Sequence, residues 1–224
     1  MTSVLRQALL IAVKDLRIES RSRQTLGLVV VLGILIVTVL GLGLGSQHMS
    51  GSAATAVLWV AYLFSGVLCF EKTMTVERQD GAMAGLLLAP LDRGVIYLGK
   101  LLSNLALMLA VAAVITPVGV LFFGFDLSAA PLAFFAILGM SMLGFAAVGT
   151  LFAAVVSSSR LQGGLLAMVV FPITLPLVIA STQLTARLSQ EGQSWNGSAF
   201  AVLLAFDVIF LVASWLAFEW VIEP

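Results

Sequence analysis

The side chains best suited to chemistry lie mainly in one polar island, Phe70–Lys100, reading FEKTMTVERQDGAMAGLLLAPLDRGVIYLGK. Eight of the chain's 22 formal charges fall there, in a sequence that is otherwise almost entirely apolar. The chemistry these residues suit is gripping rather than bond-making. Glu71, Glu77, Arg78 and Asp80 offer acceptors and a planar donor to water or to a protein surface. Asp80-Gly81 is a turn-like break, after which Met83, Leu86, Leu87 and Pro90 return an apolar face. Glu71–Gln79 holds good helix formers and neither Gly nor Pro, while Pro90 halts any second helix before Asp92. A helix-break-helix lying on a membrane surface is therefore expected, too apolar at Leu86–Leu88 for a free loop and too short for a span. An ordinary wet loop is the plainer alternative; the mixed composition favours a protein-docking element.

Other candidates are isolated. Asp207 is the one acid well inside an apolar stretch, where a carboxylate costs a few kcal/mol and should face a bundle interior or a wet cavity. It is either an intramembrane gate or proton-linked site, or a carboxyl that snorkels or bonds a neighbouring helix. Pro172 and Pro176, four apart, predict a bend with freed carbonyls that could serve the same gate. His48 lies in a polar loop beside Met49 and is read as solvated rather than as a haem ligand. Cys69 is expected to be packing; alone it allows no internal disulfide and no Cys-cluster metal site. Trp59 and Trp195 read as packing and interfacial aromatics. The chain contains no haem-attachment C-x-x-C-H and no G-x-x-x-x-G-K-[ST] phosphate loop. Catalysis by this chain is therefore not expected; no metal is expected, no cofactor is expected to bind directly, and ATP chemistry would come from a partner.

These residues need an unusual scaffold. At 61% hydrophobic and 10% charged, with mean hydropathy +1.13, the chain lies outside the soluble globular range. Its zero net charge and lack of a basic run argue against nucleic acid. A spanning helix needs about 20 apolar residues, and six stretches qualify, at roughly 26–45, 53–70, 97–123, 130–156, 163–183 and 199–221. The expected architecture is thus an all-α membrane protein, one transmembrane domain over 1–224. Ten of the eleven basic residues fall on one side of these spans, and only Arg187 on the other. The positive-inside rule then puts both termini in the cytoplasm and loops 46–52, 124–129 and 184–198 outside. Residues 1–25 carry alternating charges and no apolar core, so a cleavable signal is not expected.

Leu5, Leu9, Ala12/Val13 and Leu16 recur at helical spacing, with Arg6, Lys14 and Arg17 elsewhere around the wheel. An interfacial amphipathic helix over 3–22 is expected to feed the first span. Gly41/Gly45 form a G-x-x-x-G pair, and Gly139, Gly144 and Gly149 punctuate the fourth span, positions that let helices approach closely.

Phe70-Glu71, Glu77, Gln79-Asp80-Gly81, Leu87, Pro90-Leu91 and Lys100 resemble the segment after the second span in the haem exporter protein B (CcmB) family. A second match is Gly163-Gly164-Leu165-Leu166 followed by Phe171-Pro172-Ile173-Thr174-Leu175-Pro176-Leu177. The resemblance implies an ABC exporter permease-like subunit of the bacterial inner membrane, with residues 71–95 a cytoplasmic coupling segment seated on an ATPase. It further implies two ATPase copies, a homodimer of this subunit, a haem-handling membrane protein, a small single-span protein and a periplasmic haem chaperone. Haem would be handled by the complex rather than held by this chain. Ala84 and Gly85 stand where the family tends to place an acid, which shifts expected docking toward the apolar contacts of Met83 and Leu86. A permease for lipid or glycan would share the architecture; the absence of basic residues within the first and fifth spans counts against it. A membrane enzyme lacks any clustered catalytic constellation.

Overall fold

A computed structural model of the chain describes residues 2–22, 24–45, 51–79, 92–124, 130–158, 164–191 and 197–221. Seven helices account for nearly all of them: α1 Thr2–Ser22, α2 Gln24–Gly43, α3 Gly51–Gln79, α4 Arg93–Phe123, α5 Pro131–Ser158, α6 Leu165–Glu191 and α7 Gly197–Val221. Helices α2 to α7 are each long and apolar enough to cross a bilayer, and no strand occurs among the described residues. The protein is a six-span all-α membrane protein.

Several helix ends have a local cause. Glu19 accepts a hydrogen bond from the Leu26 N–H at 2.9 Å, so α1 supplies the acceptor that the first turn of α2 lacks. Asp92, in an extended conformation, caps α4 by accepting from the Gly94 N–H at 3.0 Å. Gly124 ends α4 in the left-handed region at φ 65°, donating to the Val120 carbonyl. Pro131 opens α5, where its missing N–H goes unused.

Helices α3 and α5 form the middle of the bundle. Helix α3 touches α2, α4, α5 and α6, and α5 touches α3, α4, α6 and α7. Tyr62, Phe70, Tyr97, Met108, Phe145 and Phe218 fill the interior. Phe70 packs into the space left by Gly149, where a Cβ would strike its ring. Helix α2 leans on α3 and α4, while α7 lies on α5 and α6 and reaches α4 through Trp215, which fills the space at Gly94.

Three details extend the expectations above. The second span is not a short 53–70 segment: α3 continues unbroken to Gln79 because Glu71–Gln79 contains nothing to stop it. Helix α6 is a single helical element through Pro172 and Pro176, with the Thr174 hydroxyl donating to the Val170 carbonyl at 2.8 Å. Both prolines lie on its exposed face. Of the G-x-x-x-G pair, Gly41 meets Phe122 and Phe123, whereas Gly45 is a turn residue at φ 71° with open space around it.

The apolar face of α1 is also divided. Ala8, Ile11 and Ala12 turn inward, Leu16 is partly buried, and Leu5, Leu9 and Val13 are exposed. The small Ala8 and Ala12 let α1 press onto α4 at Gly99, where a Cβ would lie 2.7 Å from Ile11 Cβ. Alanine therefore marks the protein-facing side, because only a short side chain permits that approach.

Candidate functional site

Four polar features stand out among the described residues inside this apolar bundle. The first joins α1 to α4. Lys100 Nζ donates to Asp15 Oδ2 at 2.7 Å, with the side chains 5% and 13% exposed. Ser103 Oγ lies 3.4 Å from the same oxygen, and Lys14 Nζ lies 3.0 Å from Asp15 Oδ1. A charge pair this well sheltered holds α1 against α4 at one defined position.

The second group crosses α3, α4 and α5. Asn104 Nδ2 donates to Thr150 Oγ1 at 2.9 Å, and Thr73 Oγ1 donates to Asn104 Oδ1 at 3.2 Å. The third ties α3 to α6 and α6 to α5. Trp59 Nε1 donates to Thr185 Oγ1 at 3.1 Å, and the Ser141 and Ser181 hydroxyls share a hydrogen bond at 2.6 Å. Beside them lies a cavity of about 10 Å³, bordered by Trp59, Tyr62, Ser141 and Ser181, with space for about one water. Each such bond contributes roughly 1 kcal/mol inside a membrane bundle, so these groups fix helix register rather than perform reactions.

Asp207 forms the fourth. It is 5% exposed on α7, and its Oδ1 has no hydrogen-bond partner. The carboxyl occupies the space that a side chain at Gly144 of α5 would fill, beside Leu177 and Phe206. Cys69 is fully buried. Among the described residues no group of three or more His, Cys, Asp or Glu is placed to hold a metal ion.

The sequence-predicted docking residues are not gathered into one described site. Glu71 is partly buried near the end of α3, and Glu77 and Arg78 stand on the last turns of that helix. Asp80, Gly81, Met83, Leu86, Leu87 and Pro90 lie outside the described residues, as do His48 and Trp195. Pro172 and Pro176 lie on the outer face of α6 and Asp207 within the packing of α7.

Sequence reasoning missed the Asp15–Lys100 pair, in which the partners are 85 residues apart. The available signal was a pair of acids, Asp15 and Glu19, on the small-residue face of an amphipathic helix. A second feature dissolves on inspection. Gly94-Val95-Ile96-Tyr97-Leu98-Gly99-Lys100 has the glycine and lysine spacing of a phosphate loop, but Leu101 stands where a Ser or Thr is needed. The run is helical and its lysine is engaged by Asp15, so no loop of free N–H groups exists there.

No curated protein matches this chain. Residues 6–223 match the family model described as CcmB protein. With six spans and nearly the whole length matched, the chain belongs to the CcmB family, multi-pass inner-membrane subunits for haem transport in cytochrome c biogenesis.

Proposed function

We propose that this subunit converts ATP hydrolysis by a cytoplasmic partner into helix movement within the cytochrome c maturation complex. The observation that carries the reading is the length of α3. Its 29 residues extend roughly 44 Å at ~1.5 Å per residue, well beyond a ~30 Å hydrocarbon core. The excess carries Glu77 and Arg78 beyond the apolar span Gly51–Met74, on the same helix that forms the centre of the bundle. Helix α4 starts again at its Asp92 cap, so residues 80–91 join two long helices rooted in the core. Force applied to that segment is delivered to both helices, as a coupling element requires.

In this reading both termini are cytoplasmic, residues 71–95 seat on the ATPase, and two ATPase copies serve a homodimer of this subunit. A haem-handling membrane protein and a small single-span protein complete the assembly. Movement of the helices then releases the haem-loaded periplasmic chaperone. The polar contacts inside the bundle are short and serve helix register, which supports a mechanical role over passage of haem itself. A permease for lipid or glycan is the second reading, favoured only by the shared architecture.

Replacing Glu77 and Asp80 with Lys tests the docking. Recruitment of the ATPase should fall severalfold while membrane insertion is unchanged. Wild-type ATPase recovery in the double variant would remove this segment from the interface. Affinity purification from the native membrane, with the haem spectrum recorded, separates the two readings. An ATPase recovered with haem-handling subunits supports the first, and an ATPase without them supports the second.

A further inference from the structure

Helix α1 sorts its charges by face. Its acids turn toward the protein: Asp15 pairs with Lys100, and Glu19, 7% exposed, accepts from the start of α2. Its cations turn away. Arg6, Arg17 and Arg21 are exposed, and the Lys14 side chain is 39% exposed. At 3.6 residues per turn these four fall within an arc of about 80°. The adjoining arc carries the exposed Leu5, Leu9 and Val13. A helix with mixed charge in sequence thus presents a strip whose charges are all cationic, interrupted by the exposed Leu10, beside an apolar one.

We propose that this outer face of α1 binds anionic phospholipid, with headgroup phosphates on the arginines and acyl chains along Leu5, Leu9 and Val13. Guanidinium groups suit this because they bind phosphate oxygens in pairs and lose hydration readily. The neighbouring apolar strip favours a lipid over an acidic protein, since a lipid supplies both the anion and the hydrocarbon at one boundary. The 2.7 Å Asp15–Lys100 contact anchors α1 to α4, so the lipid is held at a fixed place on the bundle rather than on a loose tail. The inference rests on the six-span membrane architecture and is independent of ATPase docking.

The test uses the full chain in nanodiscs of phosphatidylcholine with a minority of phosphatidylglycerol. Lipids retained after release into detergent are counted by native mass spectrometry. Wild type should retain phosphatidylglycerol above its bulk fraction, with enrichment falling as salt rises. Arg6→Gln/Arg17→Gln/Arg21→Gln should lose that enrichment, at roughly fivefold in relative affinity per arginine. The matching Arg→Lys triple variant should keep most of it. Neutralising Arg187, far along the chain on α6, is the control and should change nothing. Thermal unfolding in pure phosphatidylcholine shows whether the triple variant is folded. If it is not, Arg6→Gln/Arg17→Gln and the salt series on wild type give the same readout. Absence of enrichment in wild type, or equal enrichment in wild type and variant, would overturn the proposal. Loss of a co-purifying subunit with lipid retention unchanged would also overturn it, assigning the face to an acidic protein instead.

Discussion

Asp15→Asn should release α1 from the bundle without unfolding the six spans. The change leaves a side chain of the same size but removes the charge that faces the Lys100 ammonium at 2.7 Å. Breaking a buried pair by removing one partner costs about 3–5 kcal/mol. Asp15 is 13% exposed, so the lower end, about 3 kcal/mol, applies. Local opening of one helix is governed by its own contacts rather than by global stability. A loss of about 3 kcal/mol therefore lowers amide protection in α1 by roughly 100-fold. Lys100→Met should be milder, because Lys14 at 3.0 Å and Ser103 at 3.4 Å remain beside Asp15. Asp15→Leu/Lys100→Met should restore protection to within about tenfold of wild type, since no buried charge is left uncompensated. Hydrogen exchange by mass spectrometry on the full chain in nanodiscs reads all three. Unchanged α1 exchange in Asp15→Asn, or a double variant as unprotected as that single one, would show that apolar packing alone holds the helix.

Three further perturbations address the bundle. Gly144→Ala drives a methyl into the Asp207 carboxyl, Leu177 and Phe206, and should cost about 1–3 kcal/mol in thermal unfolding; adding Asp207→Ala should recover most of it, and failure to do so would refute the cradle. Asp207→Asn should retain stability to within about 1 kcal/mol, because the orphaned Oδ1 loses no bond. If Asp207 belongs to the gate, that variant lowers holo-cytochrome c yield, and an undiminished yield assigns it to packing. Asn104→Leu removes the link between Thr73 and Thr150 and should destabilise by about 1–2 kcal/mol; an unaltered melting temperature would contradict it.

Hydropathy made the six spans legible because lipid forces every crossing segment to be long, apolar and helical. It did not reveal that Glu71–Gln79 joins the second span as one helix rather than lying on the surface, because a hydropathy window excludes those polar residues. Long-range pairing was invisible for a different reason. Lys100 reads as one more basic residue in the orientation bias, and nothing near it in sequence points to Asp15. Glycines illustrate the same limit. Gly139 and Gly144 look alike in the sequence, yet one faces open space and the other receives a carboxyl. Composition reports that close approach is allowed, and only the neighbouring helix decides where it occurs.

The α1–α4 contact also sets an order of assembly. Lys100 is synthesised 85 residues after Asp15, which at ~5–20 residues per second is a delay of roughly 4–17 s. Through that interval α1 has no third span to dock on. A hydrated headgroup layer tolerates the wait, because Asp15 and Glu19 stay solvated there while the apolar residues reach the acyl boundary. Helix α1 completes its packing only after the third span has entered the membrane.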